Sequence, residues 1–265
     1  MEEPQVGGRL GRYALEAVLG HGAMGTVFRA VRDDGTVVAL KLATPELAAD
    51  DTYRRRFERE GRIAASLSHP NIVDVVEAGE AGGRPFLAAR LVEGQTLAER
   101  ISAGRLTDAD VVRVVSEVGA ALDVLHEREL VHRDVKPANV IFDGDGRALL
   151  TDFGLARRAD DTVLTQPGRV SGTVDYLAPE LIRGAPASPA SDVYGLGCIA
   201  YECLSGAPPF GRRSVPDAIL AHLESAPDPL DSPLSTAVLQ ALAKDPAERP
   251  PTAAAYALML RVSLR

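Results

Sequence analysis

Between Val131 and Phe142 the chain reads VHRDVKPANVIF. A His, an Arg, an Asp, a Lys and an Asn fall within the eight residues from His132 to Asn139. Pro137 lacks a backbone N–H and blocks simple continuation of a helix. A purely structural loop rarely needs so many polar groups between two apolar segments. Asp134 can accept a proton, Lys136 can hold a phosphate oxygen, and the amide oxygen of Asn139 can ligate a hard cation.

Four other stretches carry related chemistry. Downstream, LLTDFGLA places Asp152 at the end of an apolar strand, just before Phe153 and Gly154. That position suits a Mg²⁺ ligand, although an ordinary strand-ending turn would read the same. Upstream, GHGAMGTV from Gly20 to Val27 has the pattern G-x-G-x-x-G-x-V. Glycines let a backbone lie close to phosphates and donate N–H groups to them. A glycine-rich hairpin turn looks similar, but strand patterns on both sides separate it from a dinucleotide fold, whose glycines open a helix. Lys41 ends the apolar strand VALK, as a chance surface lysine or as a cation held against phosphates. Glu60 lies on the inward stripe of a helix whose face also carries Tyr53, Phe57, Ala64 and Leu67. A buried carboxylate is costly unless paired, and Lys41 is the candidate partner. The fifth stretch is SGTVDYLAPE, Ser171 to Glu180.

The wider pattern predicts an α+β chain with two lobes. Residues 1–90 read as short strands rich in β-branched residues around one helix, which His69-Pro70 closes. LVEG, residues 91–94, reads as a hinge. Residues 95–265 read as mostly helical, with Thr107 capping a helix whose apolar stripe is Val111, Val114, Val115, Val118, Leu122 and Leu125. Further helices are expected near 189–205, 214–223, 234–243 and 251–262. The long polar stretch 155–175 is a loop of functional length.

Composition bounds the rest. The 265 residues carry a net charge of −8, which gives no broad basic face for nucleic acid. The cluster Arg54 to Arg56 reads as a solvated helix face. The two cysteines, Cys198 and Cys203, share one apolar run and read as buried thiols. The N-terminus MEEPQVGG is acidic and lacks a signal-peptide core, and no apolar run is long enough for a membrane helix. A cytoplasmic location is expected.

Taken in order, the glycine loop, the strand lysine, the helix glutamate, H-R-D-V-K-P-A-N, D-F-G and A-P-E resemble the eukaryotic-type (Hanks-type) serine/threonine protein kinases of bacteria. The resemblance covers nearly the whole chain and implies the bilobal protein-kinase-like fold. It implies ATP and Mg²⁺ as cofactors, with Mn²⁺ as a substitute, and protein substrates bearing Ser or Thr acceptors. It makes Asp134 the catalytic base and Lys136 the group that stabilises the migrating phosphoryl. Asn139 and Asp152 become metal ligands. Leu19, Gly20, Gly22, Gly25, Val27, Ala39, Lys41, Glu60, Ala89, Arg90, Val92 and Ile141 become the nucleotide site. Ala89 takes the gatekeeper position and is smaller than usual, which implies an enlarged back pocket. Arg90 departs from the acidic residue common there.

Regulation is implied as well. Arg133 is of the kind that binds a phosphorylated activation loop, Thr165 resembles the autophosphorylation position, and Thr173 resembles the threonine linking catalytic loop to substrate. A homodimer would serve autophosphorylation. Asp192 is expected to brace the catalytic loop, and Arg249 to pair with Glu180. Gly61 costs its helix about 1 kcal/mol relative to alanine, so a loosened, switchable Lys41–Glu60 pair is a further expectation. Two other functions fit the fold. A pseudokinase scaffold would lack the lysine, the catalytic-loop Asp or the metal Asp, and all three are present. A small-molecule kinase of the aminoglycoside or choline type would lack the A-P-E segment and Arg249.

Overall fold

The computed structural model describes residues 4–22, 24–152, 174–211 and 213–265. The chain divides into two compact units, and the division falls between Glu93 and Gly94.

In the first unit, six strands form one antiparallel sheet. They are β1 (Arg9–Leu10), β2 (Tyr13–Gly22), β3 (Gly25–Arg32), β4 (Val37–Ala43), β5 (Val75–Ala81) and β6 (Arg84–Arg90), in the spatial order β1-β2-β3-β4-β6-β5. Alternation along β4 sets the two faces. Val38, Leu40 and Leu42 are fully buried among Tyr13, Leu15, Phe28, Ala30, Phe86 and Ala88. Val37, Ala39 and Lys41 point to the other face and are half-buried.

Two helices accompany the sheet, α1 (Pro45–Ala48) and α2 (Asp51–Ala64). Asp50 caps α2 by accepting hydrogen bonds from the N–H groups of Thr52 and Tyr53. Tyr53, Phe57 and Ala64 form the buried stripe, with Glu60 half-buried among them. The helix ends at Ala64, earlier than His69-Pro70. Leu67 is still buried, because its N–H bonds back to the Ala64 carbonyl in a tighter turn.

Gly61 has a packing reason rather than a loosening one. It is buried where α2 packs on β5, and a Cβ there would lie 2.6 Å from the Cβ of Ala78. The glycine permits a close approach.

The second unit is mostly helical: α3 (Leu97–Ala103), α4 (Asp108–Glu127), α5 (Pro179–Ile182), α6 (Pro189–Ser205), α7 (Val215–Glu224), α8 (Ser235–Ala241) and α9 (Ala253–Ser263). A two-stranded hairpin, β7 (Val140–Phe142) and β8 (Ala148–Leu150), accompanies them. Thr107 caps α4 as expected, accepting the Asp110 N–H at 3.2 Å, and the predicted stripe from Val111 to Leu125 is buried. Helix α6 is apolar nearly all round and packs against α4, α8 and α9. Both cysteines are buried on it as free thiols, and burial pushes both up in pKa.

Replacing Gly61 with alanine tests the packing reading. The overpacked contact costs about 1–3 kcal/mol and outweighs the gain of about 1 kcal/mol in helix propensity. The variant is expected to unfold at lower denaturant; a midpoint raised above that of the parent would refute the close-approach reading.

Candidate active site

The loop from His132 to Asn139 connects α4 to β7, and one buried carboxylate shapes it. Asp192 on α6 is 1% exposed. Its Oδ2 accepts the His132 N–H at 2.8 Å, and its Oδ1 accepts the Arg133 N–H at 2.9 Å. These bonds hold Arg133 at φ +67°, a conformation that costs a non-glycine residue about 1–3 kcal/mol. Gly195, one turn along α6, lets the loop come this close. A Cβ there would meet Val135 Cβ at 2.9 Å and Val135 O at 3.0 Å.

The His132 ring ties the loop to the strand that follows. Its Nε2 bonds the Thr151 carbonyl at 3.0 Å, so Nε2 carries the proton. Its Nδ1 then accepts the Asp134 N–H at 3.3 Å. The Thr151 N–H in turn donates to the Asn139 carbonyl at 3.0 Å, extending the β7–β8 pairing by one step. Asn139 and Asp152 are thereby brought to the same end of that hairpin. Asp152 itself is at φ +63°.

Three of the predicted side chains meet directly. Lys136 Nζ lies 2.8 Å from Asp134 Oδ2. Asn139 Nδ2 donates to Asp134 Oδ2 at 3.0 Å and to the Asp134 carbonyl at 2.7 Å. Both amide donor contacts of Asn139 thus go to Asp134, and its Oδ1 is oriented as an acceptor. Such an amide oxygen together with the Asp152 carboxylate is a hard-oxygen set that fits Mg²⁺. Ile141 is half-buried on β7 and bridges Thr96. Gly94 allows this: a Cβ would lie 1.8 Å from the Phe142 carbonyl oxygen.

In the first unit four of the predicted nucleotide residues lie on one sheet face. Val27 pairs with Lys41, Lys41 with Leu87, and Ala39 with Ala89, so Val27, Ala39, Lys41 and Ala89 share a face across three strands. Helix α2, which carries Glu60, packs on β5 and β6. Leu19 is 49% exposed at the edge. Arg90 turns its guanidinium to Asp74 at 3.3 Å, and Val92 is half-buried.

The three glycines of the loop differ in kind. Gly25 sits at φ +155°, and a Cβ there would be 2.0 Å from the Leu42 carbonyl oxygen. Only glycine fits this position. A Cβ at Gly20 would meet no described atom within 4 Å, and one at Gly22 only the Gly25 carbonyl at 3.7 Å. The backbone at Gly20 and Gly22 is open to an approaching group.

Arg249 and Glu180 meet as expected. The buried guanidinium makes a bidentate pair with Glu180, both bonds 2.7 Å, and also donates to the carbonyls of Ala243 and Ala190. Thr165 and Thr173, like Phe153 and Gly154, lie outside the described residues. The spacing of motifs did not reveal Gly94, Gly195 or His126, whose Nε2 also bonds Asp192 Oδ2 at 2.8 Å. A glycine inside an apolar helix was the available signal for Gly195.

Comparison with known proteins bears on the same residues. The model of the family described as "Protein kinase domain" matches residues 13–257. Serine/threonine-protein kinase PknD of Mycobacterium tuberculosis is 40% identical over 256 residues, covering 93% of this chain and 39% of PknD. Serine/threonine-protein kinase PknH of Mycobacterium bovis is 36% identical over 275 residues, covering 99% of this chain and 46% of PknH. The chain thus spans less than half the length of these two relatives. The crystal structure of the M. tuberculosis PknI kinase domain superposes with a TM-score of 0.79 at 32% identity, covering 99% of each chain.

The glycines predict a contrast. Gly25→Ala is expected to lower stability by roughly 2 kcal/mol or more, because φ and contact both forbid a side chain. Gly20→Ala should leave the melting temperature within about 2 °C of the parent, since a change under about 0.5 kcal/mol moves it no further. Thermal unfolding of the two variants measures the difference, and equal losses would contradict the assignment.

Proposed function

Because this chain belongs to the protein kinase domain family, in its bacterial serine/threonine branch, we propose that it transfers the γ-phosphoryl group of ATP to serine or threonine hydroxyls of protein substrates. The observation that carries this reading is the Asp134–Lys136–Asn139 constellation on a loop held by buried Asp192.

In the proposed reaction the substrate oxygen attacks the γ-phosphorus, and the bond to the β,γ-bridging oxygen breaks. Asp134 takes the hydroxyl proton, and ADP leaves with the bond's electron pair. Lys136 neutralises charge on the migrating group, a role that its 2.8 Å contact with the Asp134 carboxylate supports. Asn139 and Asp152 would hold Mg²⁺, or Mn²⁺ in its place, which supplies charge neutralisation on the phosphates. Lys41, oriented by Glu60, contacts the α- and β-phosphates, and the backbone at Gly20, Gly22 and Gly25 covers them. Leu19, Val27, Ala39 and Ile141 bound the adenine. Ala89 is the gatekeeper, and the Arg90 carbonyl and Val92 amide bond the base.

Residues 91–94 act as the hinge between lobes comprising residues 1–90 and 95–265. Lys136 in H-R-D-V-K-P and Thr173 in G-T-V-D-Y favour Ser/Thr over Tyr as acceptor. Arg133 and Thr165 form the regulatory pair, with autophosphorylation in a homodimer. No helix among the described residues is long and apolar enough to cross a membrane. A cytoplasmic site of action is part of this proposal.

Incubation of the purified chain with ATP, Mg²⁺ and a protein substrate tests the reaction. Asp134→Asn is expected to lower turnover about 10²–10⁴-fold, the range of a lost general base. Lys41→Met is expected to abolish transfer while leaving the fold intact. Undiminished phosphate incorporation by Asp134→Asn would remove Asp134 from the role of base.

The small gatekeeper gives a separate prediction. Purine inhibitors with a bulky substituent on the exocyclic nitrogen should inhibit the unmodified chain, and Ala89→Met should abolish that inhibition. Equal inhibition of both forms would show that Ala89 does not border the inhibitor pocket.

A further inference from the structure

We propose that the first unit carries a binding site for a small anionic amphiphile at the open end of its curled sheet. The outer strands of that sheet are β1 and β5. The chain just after β1 meets β5 along a seam. Arg12 Nε donates to Glu77 Oε2 at 3.1 Å, and the Tyr13 hydroxyl donates to the same carboxylate. A Cβ on Gly11 would lie 3.7 Å from the Cβ of Ala81. Past this seam lies a cavity of about 810 Å³, bordered by Arg9 and Leu10 of β1 and by Gly82 and Gly83 of the β5–β6 turn. Helix α1 and the N-terminal residues Pro4 and Gln5 complete its wall. A second cavity, about 250 Å³, shares Pro4, Gln5 and Arg84 with the first and reaches His21 and Thr26 of the glycine hairpin.

Short side chains create the larger cavity. Ala48, Ala49 and Ala81 line it and are too small to fill it. Gly82 and Gly83 sit at φ +57° and +71°, the left-handed pair that a two-residue hairpin turn requires. A Cβ on Gly82 would meet nothing within 4 Å. The residues that make the turn therefore also keep side chains out of the mouth. Its volume lies within the range of small-molecule sites, roughly 300–1,000 Å³, which favour the mouths of curled β-sheets.

Charge selects the ligand. Arg84 lines both cavities and is only 8% exposed. Its Nε and Nη2 donate to the Ala43 carbonyl at 2.8 and 2.5 Å, which fixes the guanidinium in the wall. An arginine stays charged in any protein setting. Arg9 adds a second cation at the exposed rim, beside Asp33. None of the described residues lining either cavity is Asp or Glu. In the whole chain 37 acidic residues outnumber 29 Lys and Arg, so the balance here is locally reversed. The complementary ligand has an apolar body, which packs on Leu10, Pro45 and Ala48, and one carboxylate, sulfonate or phosphate directed at Arg84. A charge-assisted bond to a guanidinium is strengthened where water is excluded.

The probe for the test is anilinonaphthalene sulfonate, an aromatic body with one anionic head, whose fluorescence is titrated against the whole chain. Saturable binding is expected, with a Kd of roughly tens of micromolar. Decanoate should displace the probe. Decyltrimethylammonium has the same chain length with a cationic head, and inorganic sulfate is a head without a body; neither should displace it. Millimolar ATP with Mg²⁺ should also leave the signal unchanged. Ala49→Trp, at an exposed position of the wall, fills the cavity and should raise Kd about ten-fold or more. Arg84→Met should raise it about ten-fold, the range of a lost hydrogen bond to a charged group.

A Kd unchanged by Ala49→Trp would overturn the location. Equal displacement by decanoate and by the cationic amphiphile would overturn the charge selection, and displacement by sulfate would reduce the site to one for bare anions. Displacement by ATP, or no saturable binding at all, likewise rejects the proposal. Thermal melts establish that each variant is folded. Should Ala49→Trp or Arg84→Met not fold, Arg9→Glu at the exposed rim decides in its place. It is expected to weaken the probe about ten-fold, and a parent-like Kd in that variant overturns the inference.

Discussion

Burying the Asp192 carboxylate to 1% exposure removes a charge from water, and such a transfer costs several kcal/mol unless hydrogen bonds compensate. Here the compensation comes from His132 N–H, Arg133 N–H and His126 Nε2–H. The requirement runs in both directions. The carboxylate needs the loop's N–H groups as much as the loop needs the carboxylate, so the backbone at Arg133 stays in a left-handed conformation it would otherwise leave. His132 carries the constraint onward to Thr151, and the Thr151 N–H returns it to Asn139. Asp134, Asn139 and Asp152 are all positioned by that one circuit.

Close approach of backbones is the second constraint, and glycine is the means in each case. Gly25 lies under the Leu42 carbonyl, Gly94 under that of Phe142, and Gly195 beside Val135. Each would collide with main-chain atoms or a packed side chain if it carried a Cβ. Gly61 does the same for α2 against Ala78. Gly20 and Gly22 meet no such demand from the protein. A six-residue motif therefore contains one glycine that packing requires and two that it does not.

The remainder of the second unit is organised around buried polar groups that are paired with care. Arg249 is held by Glu180, three carbonyls and the face of Tyr194, with the guanidinium carbon 4.8 Å from the ring centroid. Lys244 donates to the carbonyls of Ala221 and His222 in the last turn of α7, where a cation also favours the helix dipole. Burial lowers its pKa to about 8 and that of His222 to about 3. His222 is thus neutral at ordinary pH and bonds the Tyr194 hydroxyl at 2.8 Å. Tyr176 donates to Glu202 at 2.6 Å. The Tyr176–Glu202 bond, and the Glu180 pair with Arg249, which also bonds the Ala190 carbonyl, fasten the segment from Val174 to Ile182 to α6.

Much of this was legible in the primary structure. Period-two alternation in VVALKLA, period-3.6 spacing from Val111 to Leu125 and the cap at Thr107 each depend on neighbours a few residues apart, so local physics fixes them. The polar residues from His132 to Asn139 also declared their chemistry by type and spacing. Pairings between distant segments, such as Arg249 with Glu180 or Asp192 with the catalytic loop, were legible only through resemblance to a family and not through local physics. That Asp192 faces His132 and Arg133, that His126 completes its shell, and that Gly61 and Gly195 mark contacts rather than weak points depend on packing between elements up to 66 residues apart. Residue type limits what each group can do, but only the tertiary fold decides which buried charge meets which donor, because that choice is made by desolvation and contact rather than by neighbourhood along the chain.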